Sequence, residues 1–302
     1  MLKESLVVLV VVYFAFSSRL FHPKFPVYKE GVVVVTGAST GIGHDAAVTL
    51  HDAGYTVFAG IRRKEDADSL QGERMHPIIL DVTSSADIDR ALVTVQGYLS
   101  TSQLPLAGVV NNAGIGYLSP FEFSDPQRIR ALFDVNVFGL MDVTRAFLPL
   151  LRQSQGRVVN IGSIAGLFSA PLCSAYSATK FAVSAISDSL RRELHRHGVS
   201  VSEINPAFVK TPIQTKGDGI GHYTEEQLAL YPLKEFEEKT KKSFPLADST
   251  EVTSSAILDA ITSESPRARY VVANVDGIPA WIIAKILTHL PVEVVDFMIQ
   301  NL

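Results

Sequence analysis

The sequence predicts an α/β fold: a doubly wound, parallel, seven-stranded sheet in a single domain, with one lid insertion. Three observations predict it. Short β-branched runs alternate with helical stretches from Gly31 onward. The first run, Val32–Val35, is apolar throughout, as a strand covered on both faces should be. A glycine-rich turn opens a helix directly behind that run.

In chain order, strands are expected at Val32–Val35, Tyr55–Gly60, Ile78–Leu80, Ala107–Asn111, Arg157–Ile161, Val199–Ile204 and Arg269–Ala273. Helices are expected between them at Ile42–Ala53, Ser85–Ser100, Gln127–Arg152, Ala175–His197 and Thr250–Ser263. The body of the fold is placed at residues 22–276. Segment 211–248 is too long for a simple connection and carries its own helical stretch, Glu225–Leu230, so it reads as a lid. Residues 277–302 form a tail with apolar positions Ile282, Ile283, Ile286, Leu287 and Leu290, then Val294, Val295 and Met298 beyond Pro291. Its stripe reads as an amphipathic helix docked on the core, with a membrane-surface helix as the other reading.

The chain of 302 residues is 47% hydrophobic, with 27 Lys+Arg against 31 Asp+Glu. A formal charge of −4 gives no general reason to expect nucleic-acid binding. Cys173 is the single cysteine, so no intrachain disulfide forms, and no Asn-x-Ser/Thr sequon occurs. Leu6–Phe16 is an unbroken apolar run between Lys3-Glu4 and Ser17-Ser18-Arg19. It covers roughly half of a ~30 Å hydrocarbon core. A short membrane anchor over residues 1–21 is the preferred reading; a cleaved signal peptide and a packed hydrophobic arm are the others. Arg19, His22, Lys24 and Lys29 are compatible with a body facing the cytoplasm.

The turn Thr36-Gly37-Ala38-Ser39-Thr40-Gly41-Ile42-Gly43 lies between strand and helix. A phosphate needs close backbone approach and unpaired N–H donors, and such a turn supplies both. Gly37, Ser39, Thr40, Gly41, Ile42 and Gly43 are therefore candidate dinucleotide contacts. At the end of the second strand a carboxylate would select NAD and an arginine NADP. The residues there are Arg62, Arg63 and Lys64, so Arg62 is the candidate for the 2′-phosphate and NADP(H) is preferred, NAD(H) being possible. A solvated basic turn is the plainer alternative. Asp81 and Val82, closing the third strand, are placed for adenine; Asp81 could instead cap the next helix, as could Thr83 or Ser84.

Tyr176 and Lys180 stand four apart on a helix, hence on one face. A nearby ammonium and a cationic nicotinamide ring should lower the phenol's pKa and make it an acid/base. Ser163 follows the fifth strand, where doubly wound sheets place ligands, and its hydroxyl could hold a substrate oxygen or merely cap a turn.

In combination these residues resemble the short-chain dehydrogenase/reductase family, whose fold is Rossmann-type. The sequence is more similar to its membrane-associated retinol and hydroxysteroid dehydrogenases than to the small cytosolic bacterial enzymes. The likeness runs from about Val32 to Val272. It implies cofactor roles for the glycine turn and for Asn112, Ala113 and Gly114 in the Asn111–Gly114 segment. Asn136 would hold a water in a proton relay, with Ser163, Tyr176 and Lys180 as catalytic residues and Lys180 also on the nicotinamide ribose. Pro206, Val209 and Thr211 would lie along the nicotinamide. One departure stands out: Ala207 occupies the position after Asn205-Pro206 where the family usually has glycine.

The resemblance implies hydride exchange between NADP(H) and a hydrophobic alcohol, ketone or aldehyde, leaning towards carbonyl reduction. NAD-dependent oxidation is the alternative direction. It also implies attachment to the endoplasmic reticulum or another intracellular membrane, and a homodimer through Gln127–Arg152 and Ala175–His197. No metal is assigned, since no His/Cys/acid cluster has ligand spacing. Two non-enzymatic rivals, an inactive scaffold and a lipid-surface protein, meet an intact Asn/Ser/Tyr/Lys set. A sugar-nucleotide epimerase would have a differently spaced glycine turn.

Overall fold

A computed structural model describes residues 23–215, 223–231 and 233–300. The sheet strands in chain order are β1 (Val32–Val35), β2 (Thr56–Ile61), β3 (Met75–Ile79), β4 (Leu106–Asn111), β5 (Arg157–Ile161), β6 (Ser200–Pro206) and β7 (Arg269–Val272). They lie in the spatial order β3-β2-β1-β4-β5-β6-β7, and every pairing is parallel. The order reverses between β1 and β4, which opens a crevice at the C-terminal ends of those two strands.

All four valines of β1 are buried, because the sheet is covered on both faces. On one face, α1 (Gly41–Asp52) sets Ala46, Ala47 and Leu50 against Val33 and Val35. On the other, α2 (Ser85–Ser102) sets Ile88, Ala91 and Val95 against Val32 and Val34. Next in the chain come α3 (Pro126–Phe133), α4 (Leu140–Ser154) and α5 (Ser174–Leu194). The last two cover the same face as α2, with Phe147, Leu151 and Leu194 buried there.

The long connection folds into α6 (Pro212–Thr215), α7 (Glu225–Leu230) and α8 (Leu233–Ser243). Thr224 caps α7 with a reciprocal capping box to Gln227. Then α9 (Glu251–Thr262) joins α1 on its face through Ala256, Ile257, Ala260 and Ile261.

Three features differ from the sequence expectation. The helix expected over Gln127–Arg152 is interrupted by a π-helical turn at Asp134–Gly139. An i→i+5 turn leaves hydrophobic periodicity nearly intact, so the pattern conceals it. Strand β3 begins three residues before Ile78, since His76 and Pro77 break the apolar run yet pair with Phe58 and Ala59. Proline is tolerated there because β3 is an edge strand.

The tail is the third difference. After a hairpin of β8 (Asn274–Val275) and β9 (Ile278–Pro279), α10 (Ala280–Leu287) docks through its small residues Ala280 and Ala284. Trp281 and Ile286 on α10 are exposed, as are Val292, Phe297 and Met298 on α11 (Val292–Gln300). The apolar stripe expected to dock is half-buried at Ile282, Ile283, Leu287, Leu290 and Val295 and exposed at Ile286, Val294 and Met298.

Residues 23–30 pack at the N-terminal edge of the sheet, opposite the glycine turn. The buried Arg157 guanidinium donates to Pro26 O (2.7 Å), Ser263 O (3.0 Å) and Ser200 Oγ (3.1 Å), with the Phe25 ring against it. Among the described residues no helix is long and apolar enough to cross a membrane. The apolar run Leu6–Phe16, and with it the anchor expected over residues 1–21, lies outside the described residues.

Candidate active site

The glycine turn is drawn tight by its neighbours. Thr36 Oγ1 accepts from Asn112 N (3.0 Å) and Ala113 N (2.9 Å). Asn112 Nδ2 donates to Thr36 O and Gly37 O, each at 3.0 Å. Gly37 sits at φ +64°, and a Cβ on it would come within 2.8 Å of Ala113 Cα. A Cβ on Gly43 would lie 2.2 Å from both Gly37 O and Asn112 Nδ2. No larger residue fits either place. Thr36 was not singled out in the sequence; a polar residue ending an all-valine strand was its signal.

Helix α1 has no acid in its first turn, and Thr40 caps it without a side-chain bond. The first N–H groups of the helix are therefore open to an anion, as a pyrophosphate requires. A Cβ on Gly41 (φ +60°) would lie 3.4 Å from Thr211 and Pro212, so the chain beyond β6 runs beside the turn. Ser39 and Ile42 are partly buried beside it. At the end of β2, Arg62 is exposed, whereas Arg63 is held by Asp66 at 2.7 Å. Asp81 Oδ1 accepts from Thr83 N (2.9 Å) and Thr83 Oγ1 (2.7 Å). The cap of α2 is Ser84, accepting from Asp87 N. Val82 is buried against Gly139 of the π turn.

Ser163, Tyr176 and Lys180 converge beyond β5. Ser163 N donates to Asn205 Oδ1 (2.9 Å), and Ser163 Oγ accepts from Ala165 N (3.1 Å). The serine thus caps the turn that follows β5. Tyr176 lies in the first turn of α5, and Lys180 Nζ is 5.8 Å from its ring centroid. Lys180 is only 6% exposed, and its Nζ donates to Ile161 O at 2.9 Å.

Asn136, 2% exposed in the π turn, brackets Ile115 with both ends of its amide, 2.9 Å to N and 2.9 Å to O. Its Nδ2 also donates to Thr179 Oγ1 (3.2 Å). A Cβ on Gly114 would lie 3.3 Å from Asn136 Oδ1 and 3.9 Å from Lys180 Nζ, which places the asparagine beside the lysine. Pro206 closes β6, and Val209 is buried next to Thr211. Ala207 is absent from the positive-φ residues, so alanine carries no backbone strain where glycine was expected.

Burial sets the electrostatics. It pulls the Lys180 ammonium down to about 8, with Glu203 opposing that fall. It pushes Tyr176 up to about 12, a rise that Ser163 only partly offsets. The expected lowering of the phenol is therefore not met by the protein groups alone, because desolvation dominates. The same burial raises the Cys173 thiol to about 11, which keeps it neutral.

The described parts of the segment expected as a lid meet the loop that follows β4. Ile213 touches the Gly116 position at 3.3 Å, Tyr223 OH donates to Ser119 Oγ at 3.0 Å, and Phe123 packs against both Tyr223 and Tyr231.

The residues present fit a nicotinamide dinucleotide. The helix N-terminus is open, the loop leaves no room for other side chains, and the buried Asn205 Nδ2 beside Ser163 has no protein partner. A doubly wound sheet with such a turn and a Ser/Tyr/Lys group at its C-terminal edge defines a nucleotide-dependent oxidoreductase. The chain belongs to the short-chain dehydrogenase family, whose model matches residues 31–219. It is 34% identical over 284 residues to the mitochondrial D-β-hydroxybutyrate dehydrogenase of Rattus norvegicus, covering 87% of this chain and 82% of that one. It is 34% identical over 276 residues to retinol dehydrogenase 16 of Rattus norvegicus, covering 83% and 84%. Among solved structures it is similar to a short-chain dehydrogenase from Streptomyces avermitilis, with a TM-score of 0.70, 31% identity and coverage of 85% and 92%.

Proposed function

We propose that this enzyme transfers a hydride between NADP(H) and a hydrophobic alcohol, ketone or aldehyde of retinoid, steroid or lipid-like character, with Tyr176 as acid/base. The observation that carries the reading is the placement of Lys180 Nζ 5.8 Å from the Tyr176 ring on one helix face, at the end of β5 where Ser163 lies. A bound nicotinamide cofactor supplies or accepts the hydride. Ser163 Oγ holds the substrate oxygen, and the Tyr176 phenol gives it a proton in reduction or takes one in oxidation. Lys180 fixes the cofactor ribose and adds positive charge beside the phenol. Asn136 holds the lysine's surroundings through Ile115 and Thr179 and ties the proton path to solvent.

A phenol at about 12 stays protonated near neutrality, the form from which carbonyl reduction draws its proton. The exposed Arg62 at the end of β2 supports NADP(H), because a guanidinium meets a 2′-phosphate bidentately. The aromatic wall of Phe123, Tyr223 and Tyr231, and the likeness to a retinol dehydrogenase, support an apolar substrate. The apolar run Leu6–Phe16 supports membrane attachment through residues 1–21, at the endoplasmic reticulum or a similar intracellular membrane, with the body towards the cytoplasm. Phe138 and Phe181, exposed on the π turn and α5, support a homodimer through these helices.

Tyr176→Phe should lower kcat for carbonyl reduction by about 10²–10⁴-fold while cofactor affinity changes little; equal rates in a NADPH-oxidation assay would remove the acid/base. Arg62→Ala should raise the KM for NADPH about tenfold or more and leave that for NADH nearly unchanged, the scale of one charged hydrogen bond. An unaltered NADPH/NADH ratio would exclude Arg62 as selector. Deletion of residues 1–20 should release the protein from the membrane pellet as a dimer by light scattering. Continued pelleting would remove the anchor, and a monomer would remove the dimer.

A further inference from the structure

Four polar side chains cross the sheet interior in one row. Asn111 on β4 is in register with Asn160 on β5, Asn160 with Glu203 on β6, and Glu203 with Arg269 on β7. A parallel sheet covered by helices normally fills such positions with aliphatic residues. Here they are wired together. Asn111 Nδ2 donates to Asn160 Oδ1 (2.9 Å) and Thr144 Oγ1 (2.8 Å), and Asn160 Nδ2 donates to Ser187 Oγ (2.9 Å).

Glu203 is the exceptional member, a carboxylate with its side chain 0% exposed. Removing such a charge from water costs several kcal/mol unless cations and donors answer it. Ser184 donates to one of its oxygens, and Arg269 Nε donates to the other at 2.9 Å. Arg269 is an incomplete answer. It is 39% exposed and shares its charge with Asp188 at 3.1 Å, which Arg191 also engages. The remaining cation is Lys180. Ser184 follows Lys180 by one helical turn, so the serine that holds Glu203 lies on the lysine's face of α5. Lys180 Nζ donates to Ile161 O, and Ile161 pairs with Ile204, the neighbour of Glu203. Gly162 completes the fit, since a Cβ there would lie 2.7 Å from Glu203 Oε1 and 2.2 Å from Asn205 Oδ1.

We propose that Glu203 is a positioning residue that holds Lys180 as the ammonium, acting through its buried carboxylate from beneath the active site. The inference rests on the reading in which Tyr176 and Lys180 turn over a carbonyl. The groups facing Lys180 are Tyr176 on its own helix, Glu203 from β6, and the neutral Asn136 from the π turn. Glu203 faces Arg269 from β7 in addition. Burial alone strips the proton from a lysine, and Glu203 is the group that resists this. Without it the ammonium would be lost within the working pH range.

The test is the pH profile of kcat/KM for carbonyl reduction in the full-length protein, where Lys180 sets an alkaline limb near pH 8. Glu203→Gln, which keeps the shape and a hydrogen-bonding oxygen, should move that limb to lower pH by about one unit. Arg269→Gln should move it the other way, because the carboxylate is then left to Lys180 alone. Loss of packing would lower rates without displacing the limb in opposite directions. A limb unmoved in Glu203→Gln, or moved in the same direction by both variants, overturns the proposal. If Glu203→Gln does not fold, the partly exposed Arg269 decides: a shift to higher pH supports the proposal, and no shift overturns it. A wild-type protein without turnover on any carbonyl would overturn the underlying reading instead, so the two failures are distinguishable.

Discussion

The rest of the site depends on burying one ammonium. Lys180 is nearly sealed from solvent, and a lysine survives there as a cation only where oxygen acceptors and negative charge meet it. The fold supplies the Ile161 carbonyl from the end of β5 and the Glu203 carboxylate from β6. It also clears space, since a Cβ on Gly166 would lie 2.7 Å from Lys180 O and one on Gly114 would crowd Asn136. Glycines at such positions are the cost of bringing helix α5 down onto the strand ends. The doubly wound topology makes this possible, because it gathers the ends of β1, β4, β5 and β6 along one edge.

The proposed chemistry asks two opposite things of that environment. The phenol must be a donor in one direction and a base in the other, yet burial pushes it to about 12. Ser163 offsets part of the rise and, in the proposed roles, is also the substrate's oxygen contact. The remaining lowering falls to charge that arrives with a bound oxidised nicotinamide. Tyr176 would then be tuned by the state of the cofactor, a phenol when the ring is reduced and neutral, and closer to phenolate when it is oxidised and cationic. The lysine is the fixed part of this arrangement and the tyrosine the variable part.

Much of the architecture was legible because burial on both faces leaves a plain mark. Val32–Val35 and Arg157–Ile161 were read to the residue, and the glycine turn fell between its strand and helix as expected. Tyr176 and Lys180 were found by helical spacing, and their convergence with Ser163 follows from strand ends sharing an edge. The π turn stayed hidden, since one extra backbone position barely disturbs the apolar pattern around Asn136. The polar row through Asn160 and Glu203 was missed for another reason. Register across β4 to β7 is a tertiary property, and a lone Glu inside a short strand reads as an exposed position until its pairing is known. The tail was legible only in part, because apolar periodicity marks a face without saying how fully it is covered: Ala280 and Ala284 are buried, Ile282 and Ile283 half-buried, and Ile286 exposed.

The central claim is that Tyr176 is the group whose proton moves when the cofactor changes charge. Its most direct measurement is proton release on binding of oxidised NADP at about pH 8, followed with an indicator in weakly buffered solution. A substantial fraction of one proton per site is expected from the wild-type protein and almost none from Tyr176→Phe. Equal release from the two proteins, or none from the wild type, would contradict it.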